Sequence, residues 1–179
     1  CLDGKQNIVL KKCVKMHGKQ FKMTLNELRD SAVFAAKEAG IFLKGKKSEK
    51  KEVLKDEGRD IKLILDQEAE KLIRRNLEHT NIKILGEEYG GDISDDKYWV
   101  VDPIDGTANY FRDLNECCIS IALMEDKESL IGIIYNFNND ELYTAIKNQG
   151  AFLNDKKISV SDIDVRSKAS ITTGFPASE

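Results

Sequence analysis

Apolar positions recur at helical spacing in two segments of the chain. In the first segment, from residue 24 to about residue 44, they fall three or four residues apart, which is the spacing of one helix face: Leu25, Leu28, Ala32, Ala35, Ala36, Ala39 and Leu43. Thr24 and Glu27 have the spacing of a capping box, which satisfies free N–H groups at the start of a helix. The second segment, 67–77, has the composition of a helix. We predict two helices, of which the first has a packing role.

Short apolar runs bounded by turn residues predict strands in the rest of the chain. They cover 61–65, 81–85, 99–101, 117–123, 130–135, 141–146, 150–154 and 157–160. Polar turns at 126–127 and 138–140 separate the later runs, so we expect an antiparallel meander. A last apolar run, 170–176, begins a new strand. The pattern predicts a leader of unknown role at 1–22, an α+β domain at 23–168, and the start of a truncated α/β domain at 169–179.

Charged residues dominate 44–60, between the first helix and the first predicted strand. Such a run is typical of a solvated, mobile loop. The functional alternative is a flap that brings Lys55 toward a bound anion, with Gly45 and Gly58 as hinges.

Charge and cysteine content exclude several classes of protein. The chain has 28 basic and 31 acidic residues, with a net charge of -3, which gives no electrostatic reason to expect nucleic acid as a partner. No apolar run approaches the roughly 20 residues of a membrane span, and the first residues do not have the pattern of a signal peptide. Cys1, Cys13, Cys117 and Cys118 lack the spacing of a metal site. We expect reduced thiols in a cytoplasmic protein without a membrane partner.

The candidate chemistry centres on the end of the run at 99–101. Asp102 and Asp105 follow it, and Pro103 lies between them and stiffens the turn. The two carboxylates and the carbonyl of Ile104 are hard oxygen donors that can converge on one point, and Mg²⁺ prefers such ligands. The alternative is a surface turn capped by an Asp side chain.

Gly106 and Thr107 extend this stretch toward phosphate chemistry. A glycine lets the backbone approach a ligand closely, and Thr107 adds a hydroxyl group. If Thr107 begins a helical turn, its N–H groups form an anion site. A cation site beside an anion site indicates phosphate as the substrate group.

Two other predicted strands also deliver carboxylates at their ends. Asp66 follows 61–65, and Glu70 lies four residues later on the same helix face. Asp66 could equally be a helix N-cap. Glu87 follows 81–85 after Gly86. His17 and His79 have no partners at ligand spacing, so we expect structural roles for both.

Five segments in this order resemble the inositol monophosphatase family of Mg²⁺-dependent, lithium-sensitive phosphatases: 60–70, 86–88, 99–110, 143–154 and 172–176. The resemblance implies the N-terminal half of the layered α/β/α/β/α fold that this family shares with fructose-1,6-bisphosphatase. Two helices would pack on a large antiparallel sheet. It also implies a homodimer, and a second half that supplies a further metal-binding Asp. Leu63 departs from the pattern, because the family usually has a threonine there.

The resemblance also implies roles for individual residues. Glu87, Asp102 and the carbonyl of Ile104 match the ligands of a first Mg²⁺, and Asp102 and Asp105 match those of a second. Asp66 and Thr107 match the pair that orients and deprotonates the attacking water. The phosphate and substrate contacts would come from Ile104, Asp105, Gly106, Thr107 and Lys55.

These roles predict a phosphatase that hydrolyses a small phosphate monoester by direct attack of an activated water. Metal ions stabilise the charge on phosphate and lower the pKa of water. The substrate would be a small phosphorylated polyol, sugar or nucleotide, of the inositol monophosphate kind. The sequence 105–110 resembles the inositol-phosphate and fructose-bisphosphate branch of the family more than the nucleotide branch. A 3′(2′),5′-bisphosphate nucleotidase and a fructose-1,6-bisphosphatase are alternatives within the superfamily. A truncated non-catalytic paralogue or metal-binding partner subunit is the alternative from another class.

Overall fold

A computed structural model describes residues 23–57, 60–93, 96–164 and 168–170, with the backbone alone at 55–57 and 60–62. The predicted leader at 1–22 and nearly all of the predicted strand at 170–176 lie outside the described residues.

The first predicted helix is confirmed as α1 (Leu25–Lys46). Its capping box is formed, since the Thr24 N–H donates to Glu27 Oε2 at 2.8 Å and the Glu27 N–H donates to Thr24 Oγ1 at 3.3 Å. Small residues on the buried face bring α1 close to the sheet. At Gly40 an added Cβ would lie 2.6 Å from the Tyr135 ring, so only glycine permits this approach.

The prediction of a loop over 44–60 was wrong in part. The chain forms an antiparallel pair there, β1 (Val53–Glu57) with β2 (Asp60–Leu63). A two-stranded ribbon has no large buried face, so it needs little of the apolar alternation that reveals a strand. Gly45 lies within α1 rather than at a hinge, and Gly58 lies outside the described residues.

The second helix is α2 (Ile64–Leu77), which begins three residues before the predicted 67–77 and continues into a 3₁₀ turn, Glu78–Thr80. The strand predicted at 61–65 accordingly ends at Leu63. The buried face of α2 includes two acidic residues, Asp66 and Glu70. Buried carboxylates need hydrogen-bond partners, and those partners define the site described below.

Seven strands form one sheet in sequence order: β3 (Lys83–Gly86), β4 (Lys97–Asp105), β5 (Cys118–Glu125), β6 (Glu128–Asn136), β7 (Glu141–Ile146), β8 (Gly150–Leu153) and β9 (Lys156–Ile158). The meander predicted from β5 onward is confirmed. The exception to antiparallel pairing is β3, which runs parallel to β4. The C-terminal ends of these two strands therefore meet at one edge of the sheet.

One face of the sheet packs against α1 and α2. Every second residue of β5 is buried there, namely Ile119, Ile121 and Leu123. Trp99 of β4 is fully buried in the same layer, and its indole N–H donates to Thr80 Oγ1 at 3.2 Å. The alternation explains why the β pattern is so readable in the sequence.

A short helix, α3 (Thr107–Phe111), connects β4 to β5. Its buried Tyr110 ties it to the helix layer, because the phenol O–H donates to the Leu43 carbonyl at 2.8 Å and the ring packs edge-on against Phe137. The turn before α3 is thereby fixed relative to α1. In the parts of the chain that the structure describes, no helix has both the length and the apolar character needed to cross a membrane.

Candidate active site

The parallel pairing of β3 and β4 brings two predicted ligands together. Gly86 pairs with Val101, and the Glu87 N–H donates to the Val101 carbonyl at 3.1 Å. Glu87 therefore lies beside Asp102, close enough to raise the pKa of the Asp102 carboxyl. This proximity needs no loop rearrangement, because it follows from strands that end at the same edge.

Asp102 lies at the centre of a group of like charges. Burial, followed by the proximity of Glu87 and the charge of Asp105, raises the pKa of its carboxyl to about 8. The Ile104 N–H, which donates to Asp102 Oδ1 at 3.1 Å, acts in the opposite direction. Bringing three carboxylates together in a half-buried place is unfavourable unless a proton or a cation compensates. The donor set suits a hard divalent cation.

Asp66 and Thr107 are brought together, as the family resemblance implied. Thr107 Oγ1 lies 3.1 Å from Asp66 Oδ1 and 2.9 Å from the carbonyl oxygen of Ile104. A hydroxyl group has one proton, so Thr107 donates to one of these two acceptors at a time. The oxygen of Thr107 thus keeps a free lone pair for a further donor.

The alternative of Asp66 as N-cap was wrong. Leu63 holds the N-cap position, and Asp66 lies in the first turn, where its Oδ2 accepts the Leu63 N–H at 2.7 Å. The residue as a whole is 2% exposed. Its pKa is raised to about 7, mainly by burial, with a smaller contribution from the charges of Glu88 and Glu87 and against the hydrogen bonds from Leu63 and Thr107.

Gly106 makes the sharp connection from β4 to α3. Its φ of +89° lies in the left-handed region, and an added Cβ would lie 2.9 Å from the Glu116 carbonyl. Only glycine combines this conformation with this closeness. The reversal directs the Thr107 hydroxyl back toward Asp66.

Asp105 has a neighbour that the sequence analysis did not connect with it. Cys118 Sγ lies 3.7 Å from Asp105 Oδ2. Burial, followed by the charge of Asp105, raises the pKa of the Cys118 thiol to about 12, so the thiol is a neutral, weak donor to the carboxylate. Cys117 and Cys118 are both free thiols, as predicted, and Cys1 and Cys13 lie outside the described residues.

The carboxylates are neighbours, but they do not form a complete cage. Within 23–57, 60–93, 96–164 and 168–170, no three His, Cys, Asp or Glu side chains are gathered in the arrangement of a metal site. Lys55 lies in β1, and its side chain is not among those described. The described part of the site is therefore an open edge of the sheet at which several carboxyl groups lie close together.

Comparison with known proteins assigns the family. The model of the inositol monophosphatase family matches residues 24–179. The chain belongs to this family.

Individual relatives agree with this assignment. The chain is 36% identical over 162 residues to inositol monophosphatase 2 of Solanum lycopersicum, covering 83% of this chain and 59% of that protein. It is 37% identical over 158 residues to the inositol monophosphatase of Dictyostelium discoideum, covering 84% of this chain and 58% of that protein. The extragenic suppressor protein SuhB of Bartonella henselae superposes with a TM-score of 0.73 at 33% identity, over 76% of this chain and 55% of that one. The chain thus spans less than three-fifths of these relatives.

The family fold is confirmed by its structural neighbours, which include the Thermotoga maritima enzyme with a TM-score of 0.69 at 30% identity.

The family resemblance did not reveal the side chains that hold the turn on which Glu87 lies. Glu70 and Arg74 of α2 hold the backbone of the turn at 86–90. Their only signal in the sequence is a Glu followed four residues later by an Arg, a spacing that pairs them on a helix.

Of the two histidines, His79 lies in the part of the chain that the structure describes. Both of its ring nitrogens have hydrogen-bond partners nearby. Nε2 lies 3.0 Å from Ser31 Oγ, and Nδ1 lies 2.9 Å from the Asn76 carbonyl oxygen. These contacts agree with the structural role predicted for it. His17 lies outside the described residues.

The burial of Asp66 predicts a pH dependence of stability in this family member. The pKa of its carboxyl rises from the ordinary 3.8 to about 7 on folding, so the folded chain keeps a proton that the unfolded chain has lost. Its contribution to stability is complete below pH 3.8 and is lost as the pH rises through 7. At about 1.4 kcal/mol per pKa unit, the upper limit is roughly 4 kcal/mol.

Urea denaturation in EDTA at a series of pH values between 4 and about 8 measures this contribution. We expect Asp66→Asn to lose less stability than the wild type as the pH rises, whereas Asp30→Asn, an exposed change on α1, should follow the wild type. Identical pH profiles for Asp66→Asn and the wild type would contradict a proton held at this site.

Proposed function

We propose that this chain carries the catalytic half-site of a Mg²⁺-dependent phosphatase that hydrolyses a small phosphate monoester of the inositol monophosphate kind. The observation that carries the proposal is the Thr107–Asp66 hydrogen bond of 3.1 Å beside the carboxylates of Glu87, Asp102 and Asp105. A proton acceptor next to a cation site is what water attack on phosphate requires.

Glu87, Asp102 and the Ile104 carbonyl would hold one Mg²⁺, and Asp102 and Asp105 would hold a second. The mutual repulsion at Asp102 supports this assignment, because divalent cations relieve it. When bound, the ions neutralise phosphate oxygens and lower the pKa of water. Members of the inositol monophosphatase family are in general metal-dependent, which fits the same donor set.

In this proposal Asp66 is the proton acceptor and Thr107 relays the proton. Above a pH of about 7 the Asp66 carboxyl is ionised, and the Thr107 proton then points to Oδ1. The hydroxyl oxygen is free to accept a proton from a water molecule while its own proton passes to Asp66. A threonine alone is a poor base, so the relay depends on this pairing.

The phosphate group would lie against the N–H groups of Gly106 and Thr107, with Lys55 as a further contact from the hairpin of β1 and β2. The conformation of Gly106 supports this placement, because glycine has no Cβ to keep a ligand from the backbone.

We propose a phosphorylated polyol as the substrate class, with phosphorylated sugars and nucleotides as alternatives. The relatives' names favour the first, since those of Solanum lycopersicum and Dictyostelium discoideum are inositol monophosphatases. Phosphorylated sugars are an alternative because the chain is also 32% identical, over 135 residues, to the fructose-1,6-bisphosphatase/inositol-1-monophosphatase of Aquifex aeolicus.

We further propose that the domain boundaries are 23–168 and 169–179. The protein would be a cytoplasmic homodimer without nucleic-acid or membrane partners.

The proposal is tested by phosphate release from inositol 1-phosphate, fructose 1,6-bisphosphate and 3′-phosphoadenosine 5′-phosphate, with Mg²⁺ and with EDTA. We expect Mg²⁺-dependent release that is fastest with inositol 1-phosphate, and faster in a form with further C-terminal sequence. Release that is equally fast in EDTA, or absent in both forms, would overturn the assignment.

The rival from another class is a non-catalytic partner subunit. Calorimetry with Mg²⁺ and inorganic phosphate separates the two, because an active site binds phosphate only when the cation is present. Binding of Mg²⁺ with no effect of phosphate would favour the partner role.

A further inference from the structure

Glu70 is a fully buried carboxylate whose partners lie on the turn that carries Glu87. Its side chain is 0% exposed. Oε2 accepts the backbone N–H of Glu88 at 2.7 Å, and Oε1 accepts the backbone N–H of Tyr89 at 3.4 Å. Two successive N–H groups of the turn therefore point inward to one carboxylate.

Arg74, one helical turn further along α2, closes the other side of this arrangement. Its Nε donates to Glu70 Oε1 at 2.7 Å. Its two terminal nitrogens donate to backbone carbonyls, one to Ile84 of β3 at 3.3 Å and the other to Gly90. A guanidinium group is rigid and planar, so Arg74 fixes the spacing between the strand and the end of the turn.

The turn at 86–90 is closed by a backbone hydrogen bond, and its inner side packs tightly against Glu70. The Gly86 N–H donates to the Gly90 carbonyl at 3.0 Å. An added Cβ at Gly86 would lie 1.9 Å from Glu70 Oε1. The backbone at 86–90 is thus held by α2 from the inside and by Val101 of β4 from the side, through the Glu87 N–H.

We propose that Glu70 and Arg74 are positioning residues that hold the turn at 86–90 so that the carboxylate of Glu87 faces Asp102. The inner side of the turn is filled by Glu70, which leaves the opposite side for Glu87. This inference rests on the proposed function, because it gives Glu87 the role of a Mg²⁺ ligand. Residues that orient a ligand commonly change metal affinity by about 10–100-fold when they are replaced.

The sharpest variant is Glu70→Gln, which keeps the size and shape of the side chain. One carboxylate oxygen becomes an NH₂ group, which must then face either a backbone N–H or Arg74, so one donor meets another donor. We expect the affinity for Mg²⁺ to fall by about tenfold or more. The matched control is Glu68→Gln, the same change at an exposed position of α2.

Arg74→Lys is a second variant in case Glu70→Gln does not fold. Lysine keeps the charge but not the fork that reaches both carbonyls, so we expect a smaller loss of Mg²⁺ affinity, about three- to tenfold. Arg75→Lys, at the neighbouring exposed position, is its control and should bind Mg²⁺ as the wild type does.

Two measurements on the wild type and the variants test the positioning role. Calorimetry gives the affinity for Mg²⁺, and hydrogen exchange without metal gives the protection of the Glu88 and Tyr89 amides. Faster exchange at these amides together with weaker Mg²⁺ binding supports the positioning role. Faster exchange with unchanged Mg²⁺ affinity would overturn it, because the contacts would then serve stability alone.

The two proposals fail in distinguishable ways. A wild-type protein that binds no Mg²⁺ would contradict the proposed function, and the positioning role with it. A wild type that binds Mg²⁺, with variants that bind it equally well, would contradict the positioning role alone.

Discussion

Replacing Asp102 with Asn is expected to abolish Mg²⁺-dependent phosphate release while leaving the metal-free protein at least as stable as the wild type. Activity and stability are expected to respond differently because Asp102 lies close to two other carboxylates. Asp102 lies between the carboxylates of Glu87 and Asp105, which disfavour its charge. The amide removes that repulsion, still accepts the Ile104 N–H through its oxygen, and can donate to Glu87 through its nitrogen.

The loss of activity follows from the proposed sharing of Asp102 between two cations. A cation contributes several kcal/mol of transition-state stabilisation, so we expect the rate to fall by about a thousandfold or more. Phosphate release with saturating Mg²⁺ and urea denaturation in EDTA measure the two effects. Asp126→Asn, at an exposed turn, is the control. Wild-type rates in Asp102→Asn would remove Asp102 from the mechanism.

Gly86→Ala is expected to cause a large loss of stability although it adds only one methyl group. Its Cβ would lie 1.9 Å from Oε1 and 2.3 Å from Cδ of Glu70. Glu70 cannot turn away without breaking its bonds to Arg74 and Glu88 and leaving a buried charge unpaired. Overpacking and a broken buried ion pair together cost about 3 kcal/mol or more.

Urea denaturation of Gly86→Ala measures this loss, with Gly132→Ala as the matched control. Gly132 lies in a strand of the same sheet and has no atom within 4 Å of an added Cβ. We expect the control to stay within about 0.5 kcal/mol of the wild type. A Gly86→Ala protein as stable as the control would mean that Glu70 does not lie against the turn.

The sequence predicted the elements that have one buried face. In α1 and in the strands from β5 to β7, burial recurs at a fixed period, and the apolar residues follow it. The ribbon of β1 and β2 was missed because it has no such face. The parallel pairing of β3 with β4 was not predicted either, since strand direction leaves no mark on apolar alternation.

The candidate site was likewise predicted only in part. Asp66 and Thr107 could be paired because the family resemblance placed both, whereas the position of Asp66 within the helix was misjudged by three residues. An Asp is favourable both at an N-cap and in the first turn, so composition does not separate the two. The contacts of Glu70 could not be predicted, because its partners include backbone N–H groups, which every residue except proline has.

In the proposed function, Asp102 would hold two cations at the edge where β3 and β4 end. The most direct measurement is a crystal structure of the protein with Mn²⁺ and phosphate, recorded for the anomalous signal of manganese. We expect two peaks of anomalous density, each within about 2.2 Å of the Asp102 carboxylate, one beside Glu87 and the other beside Asp105, with phosphate beside Gly106. Well-ordered Asp102 and Glu87 side chains with no anomalous density between them would contradict it.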